Sequence, residues 1–225
     1  MLYSNNFDWH DLPIQSLLSR QLHMPVAVTN DANCAVLGEQ VAGSAVGFAN
    51  VVLLTLGTGC GGVAGHSVLV QNGRRCTCGR RGCLEAYASA TALIRDTREQ
   101  LWQHPQSRLA DLCAGNPDQI DGRTAFEAAE QGDPWAGQVI QDYIEALANG
   151  IANLVNLFRP EKVLLSGEIC NKGESLLVPL NRKVREYCFA GDYLEPPVVE
   201  TAKLKNREGI IGAASLIKLK EGEEI

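Results

Sequence analysis

The chain has 225 residues, a formal net charge of −6, and 45% hydrophobic and 20% charged residues, enough apolar material for one substantial core or two small ones. The acidic balance excludes a nucleic-acid or anionic-membrane surface, since both need clustered Lys and Arg. No apolar run approaches the ~20 residues needed to cross a bilayer. The opening MLYSNNFDWHDLP has neither the basic start nor the apolar core of a signal peptide, so the expected address is the cytoplasm.

In chain order, PVAV at 25–28 reads as a short buried strand ending at TNDAN, and DANCAVLGEQVAG as a helix closed by Gly43. Asn30 and Asp31 stand at that helix start, where either could cap it. They also stand at a strand end, where α/β proteins gather ligands. The apolar run 51–56 predicts a strand covered on both faces. The GTGCGG behind it is neither a Walker A loop nor a dinucleotide fingerprint. Its glycines make either a plain turn or, with the Thr58 hydroxyl and free backbone N–H groups, a phosphate cradle.

Eight cysteines occur in the chain. Without an export signal a disulfide framework is not expected, and lone cysteines such as Cys34 and Cys113 read as small buried hydrophobes. Cys76, Cys78 and Cys83 form a group, with Gly79 and Gly82 to turn the backbone and His66 ten positions upstream. Three thiolates and an imidazole would close a tetrahedral shell, the pattern of structural zinc. The alternative is a set of reduced surface thiols. Arg74, Arg75, Arg80 and Arg81 would partly offset the thiolate charge.

The stretch from Leu84 to Trp102 predicts one helix, and 103–123 an irregular excursion with one short helix. Asp133 and Pro134 open the longest helix, whose apolar residues from Ile140 to Phe158 recur at three-to-four spacing until Pro160. A second apolar strand, KVLLSGEIC, follows, then a helix near 174–187, a last strand in PPVVETAKL and a terminal helix. Strands alternating with helices predict an α/β architecture.

PVAVTNDANCAVLGE, VVLLTLGTGCGG, Gly65-His66, CTCGRRGCLEAYAS, RPEKVLLSGE and GIIGAASL stand in this order in the chain. By them the sequence resembles the ROK family of bacterial glucokinases, other sugar kinases and sugar-responsive repressors. The resemblance implies an actin-like, ribonuclease-H-like fold. Residues 1–30 would be a remnant of the small lobe, 31–206 the large lobe with the zinc motif, and 207–225 a terminal helix returning to the small lobe. It implies ATP-dependent phosphorylation of a hexose with Asp31 as general base. Asn30, His66 and Glu85 would bind the sugar. Gly57, Thr58, Gly59, Gly61, Gly62 and Gly167 would face ATP and magnesium. Zinc would sit on His66, Cys76, Cys78 and Cys83, with His66 also reaching the sugar, and the chain would form dimers or tetramers.

Three departures are also legible. No Asp-x-Gly-Gly-Thr phosphate clamp occurs. Val63 stands where the family's sugar-binding glutamate is expected, just before Gly65-His66. Ser166-Gly167-Glu168 replaces three glycines beside adenosine. The chain therefore reads as truncated at its N-terminus and internally shortened. The resemblance leaves open a sugar-sensing regulator without its DNA-binding part, or a non-catalytic zinc-stabilised remnant.

Overall fold

The computed structural model describes residues 9–221. The first eight residues of the expected lobe remnant and the last four of the expected terminal segment lie outside it. The chain divides into two compact units, Met1–Gly47 with Lys203–Ile225, and Phe48–Ala202.

In the first unit, helix α1 (Ile14–Leu22) was not evident from the sequence. Helix α2 (Asp31–Ala42) starts where the sequence places it, and Asn30 is its N-cap, accepting from Ala32 and Asn33 N–H. Residues 25–28 form no strand. Their apolar character is real, but a strand needs a hydrogen-bonded neighbour, and none of the described residues supplies one. The Val26 N–H instead donates to the Ser19 hydroxyl at 3.1 Å.

In the second unit, three parallel strands lie in the order β1 (Val51–Thr55), β2 (Lys162–Ser166), β3 (Val199–Thr201). Leu53 pairs with Leu164, and Leu164 with Glu200. The apolar runs of β1 and β2 pair directly, so both hide in the core, as two-sided burial requires. The Leu56 N–H extends the ladder to Ser166 O. The glycine-rich loop after β1 and the Ser166-Gly167-Glu168 turn after β2 thus leave the same sheet edge side by side.

Helices α3 (Glu85–Ala88) and α4 (Ala90–Gln103) replace the single predicted helix. Ser89 is buried at the break, and its hydroxyl accepts the Ala92 N–H as a fresh N-cap. The freed Ala90 N–H donates to Gly57 O, tying the break to the glycine-rich loop. The excursion that follows holds α5 (Arg108–Leu112) and one 3-10 turn, and α6 (Thr124–Glu130), missed in the sequence, completes it.

Helix α7 (Pro134–Phe158) is capped by Asp133. It stops at Arg159, which is left-handed (φ 43°) just ahead of Pro160, because a residue before proline is disfavoured in the helical region. Its buried stripe includes Tyr143, Ile144, Leu147, Ile151 and Val155. Phe158, which fits the same spacing, is 65% exposed instead, since the core ends before the last turn does. The Tyr143 hydroxyl donates to Ala88 O, fixing α3 on α7. Helix α8 (Glu174–Tyr187) packs on the same helix. The terminal helix α9 (Glu208–Glu221) belongs to the first unit and lies along α2. Gly38 and Gly212 line that crossing, where a Cβ on either would strike the other helix's backbone.

Candidate functional site

The thiol group assembles as the sequence predicts. His66, Cys76, Cys78 and Cys83 each direct one ligand atom to a common point, all within 4.8 Å of one another. His66 Nδ1 lies 3.5 Å from Cys76 Sγ, and Cys78 Sγ lies 3.8 Å from Cys83 Sγ. A tetrahedral zinc with Zn–S near 2.3 Å separates its sulfurs by about 3.8 Å, so the donors fit that ion in both chemistry and spacing. The turn that gathers them uses Gly79 and Gly82, both with positive φ.

Electrostatics favour a cation at the centre. Cys83 is pushed up to about 12 by burial, then by its neighbours Cys76 and Cys78. Cys78 is held below its ordinary value, chiefly by a backbone hydrogen bond from Arg80. A buried thiol that resists ionising by itself is stabilised as a thiolate by a divalent ion beside it. The arginines turn mostly elsewhere. Arg74 pairs with Asp96 at 2.8 Å and covers the Tyr87 ring, Arg80 donates to His66 O, and Arg81 to Gly73 O. The Arg74 N–H also donates to the Tyr87 hydroxyl at 2.7 Å, so the cluster's loop is fastened to α3.

Glu85, the first residue of α3, lies between this loop and the glycine-rich one. Its Oε1 accepts from the Thr77 hydroxyl at 2.8 Å, and its Oε2 accepts from the Cys60 N–H at 3.3 Å. The carboxylate can sit there because residue 59 is glycine: a Cβ would stand 2.3 Å from Oε2. Cys60 itself is buried. Burial first, and the Glu85 charge second, push its thiol up to about 12. Sequence reasoning missed the Glu85–Cys60 link, for which no local signal exists.

Within the loop, Cys60 N–H serves Glu85, Gly57 N–H serves Gly59 O and Gly61 N–H serves Thr55 O. The N–H groups of Thr58 and Gly59 have no partner among the described residues. Thr58 is exposed, Gly61 and Gly62 both have positive φ, and Gly167 begins the neighbouring turn at φ 118°. Gly57, Thr58, Gly59, Gly61, Gly62, Gly167, His66, Glu85, Cys76, Cys78 and Cys83 therefore share one unit.

Asn30 and Asp31 lie in the other unit. The Asn30 side-chain oxygen is spent on the cap. Asp31 is exposed at the first helical position, one oxygen accepting its neighbour Ala32 N–H at 2.9 Å. Among the described residues no helix is long and apolar enough to cross a membrane.

Comparison with known proteins gives the family and the fold. The ROK family profile matches residues 1–220. A glucokinase of Thermotoga maritima is 40% identical over 243 aligned positions, covering 98% of this chain and 74% of the relative. That span exceeds the chain's own 225 residues, so the relative carries residues inside the matched region that this chain lacks. A crystal structure of a ROK family glucokinase from Streptomyces griseus, in complex with glucose and AMPPNP, superposes with a TM-score of 0.83 at 32% identity. It covers 96% of this chain and 75% of that one. A xylose repressor of Caldicellulosiruptor bescii is 27% identical, over 96% of this chain and 58% of the repressor. The α/β fold is thus the actin-like one of these kinases, and the chain belongs to the ROK family as a homologue of its glucokinases.

Proposed function

We propose that the chain is a hexose kinase of the ROK type, transferring the terminal phosphoryl group of MgATP to a sugar hydroxyl. Asp31 is the general base: it orients the hydroxyl and takes its proton as the phosphoryl group arrives. The observation that carries this reading is the division of labour at α2. Asn30 supplies the cap, so the exposed Asp31 carboxylate is not needed for it.

His66 and Glu85 bind sugar hydroxyls, with Asn30 contributing its free amide. His66 Nδ1 faces the thiols, which leaves Nε2 for the substrate. Zinc on His66, Cys76, Cys78 and Cys83 would have a closed shell and supply rigidity, with no position open for catalysis. The unpartnered N–H groups of Thr58 and Gly59, at the carboxyl edge of the sheet, suit phosphate oxygens, and Gly61, Gly62 and Gly167 let the nucleotide approach. The family division puts 1–30 and 207–225 in one lobe and 31–206 in the other, whereas the two compact units keep α2 with α9; the assembly is a cytoplasmic dimer or tetramer. Self-association is supported by Leu157, Phe158 and Phe189, all strongly exposed around the end of α7.

A second reading has its own support. The anionic Glu168 in the turn beside Gly167 repels a nucleotide. The side chain of Val63, a residue 86% exposed, has no hydrogen-bonding group to offer a sugar. On this reading the chain binds sugar without phosphorylating it, as a regulator's sensing part or a zinc-stabilised remnant.

A coupled ADP-release assay with glucose and other hexoses decides between them. The kinase reading expects turnover, reduced at least 100-fold in Asp31→Asn with glucose affinity retained. No turnover with calorimetric glucose binding supports the second reading, and neither signal overturns both.

A further inference from the structure

We infer that Thr77 is a positioning residue, whose hydroxyl holds the Glu85 carboxylate between the thiol cluster and the glycine-rich loop. The inference rests on the sugar site proposed above for its functional consequence, though not for the coupling itself.

Thr77 sits between two cluster ligands, Cys76 and Cys78, so its backbone is fixed by whatever those sulfurs hold. Its Oγ1 donates to Glu85 Oε1 at 2.8 Å and lies 3.9 Å from Cys76 Sγ. The other carboxylate oxygen takes the Cys60 N–H. The relay Cys76–Thr77–Glu85–Cys60 thus spans the two loops through one side chain, with Gly59 leaving room for it. Cys76 Sγ is a second donor to Oε1, at 3.6 Å. A sulfur engaged by a metal has no proton to donate, which makes the Thr77 hydroxyl the remaining side-chain donor to that oxygen among the described residues. Thr77 is exposed, so replacing its hydroxyl by a methyl group removes a hydrogen bond to a charged acceptor and little packing. Without that bond the carboxylate can swing toward water, releasing Cys60 and changing the angle it offers to a sugar.

The test uses the full zinc-loaded chain as wild type, Thr77→Val and Thr77→Ser. Three quantities are read: zinc per chain, amide hydrogen exchange across 57–62, and glucose affinity by calorimetry. The expected result is unchanged zinc in all three proteins. Thr77→Val exchanges several-fold faster across 57–62 and binds glucose about 5- to 20-fold more weakly, while Thr77→Ser restores both. Exchange across 57–62 identical in Thr77→Val and wild type overturns the inference. So does zinc loss from Thr77→Val with Thr77→Ser intact, which would make Thr77 a determinant of metal retention. If wild type binds no glucose, the sugar reading fails alone, and the exchange rates still decide the role of Thr77.

Discussion

The buried carboxylate of Glu39 accepts the Leu204 N–H at 2.7 Å, joining positions 165 residues apart. Its second oxygen accepts the Ser44 N–H, so one side chain holds both the exit from α2 and the approach to α9. Glu39→Ala leaves two N–H donors without their acceptor. The expected loss is about 2–4 kcal/mol, read by urea unfolding, with hydrogen exchange of 203–215 accelerated. Wild-type exchange in that segment would show that packing of α2 on α9 suffices without Glu39.

The cluster can be tested apart from any activity. Elemental analysis of wild-type protein purified without chelators should find one zinc per chain. Cys78→Ser should lose most of it and lose hydrogen-exchange protection across 66–87. Cys113→Ser, which changes a buried thiol outside the cluster, should keep its zinc. Full zinc retention in Cys78→Ser would remove that residue from the shell.

Asp133 should give the protein an acid-sensitive stability term. Burial pushes its carboxyl up, but hydrogen bonds from Ala136, Ser107, Arg108 and Trp135 together outweigh burial and hold it below its ordinary 3.8. A lowered native value means the stabilisation is complete above the ordinary value and disappears as pH falls through the native one. Asp133→Asn replaces one acceptor oxygen by an amide group facing the Arg108 N–H, so it should unfold more easily than wild type at pH 7, by about 1–2 kcal/mol. The gap should narrow as pH drops below about 4. A gap constant from pH 7 to pH 3 would contradict the ionised role.

Ser89 interrupts what otherwise reads as one helix. Ser89→Ala removes a buried cap and should cost about 1–2 kcal/mol, measured as a lower denaturant midpoint. Exchange at Ala90, whose N–H donates to Gly57 O, should rise with it. An unchanged midpoint would mean that packing of α3 and α4 on α7 sets the break without the hydroxyl.

Much of the site was legible because its information is local. His66 and the three cysteines fall within eighteen residues, with glycines where the turn needs them, so spacing and side-chain chemistry state the donor set before folding. The same holds for α7, where Asp133, Pro134, the apolar stripe and Pro160 mark start, face and stop. Tertiary structure alone decided the rest. PVAV has a strand's composition, but no sequence says whether a neighbouring strand is there to pair with it. The run from Leu84 to Trp102 is helical in propensity throughout, and breaks because Gly57 O, at the end of a distant strand, takes the Ala90 N–H. Glu85 meets Cys60 across 25 positions through a carboxylate that must pass a residue without a Cβ. Propensity and periodicity are sums over neighbours in the chain, whereas these three outcomes depend on which distant backbone groups are left to be satisfied once the sheet has formed.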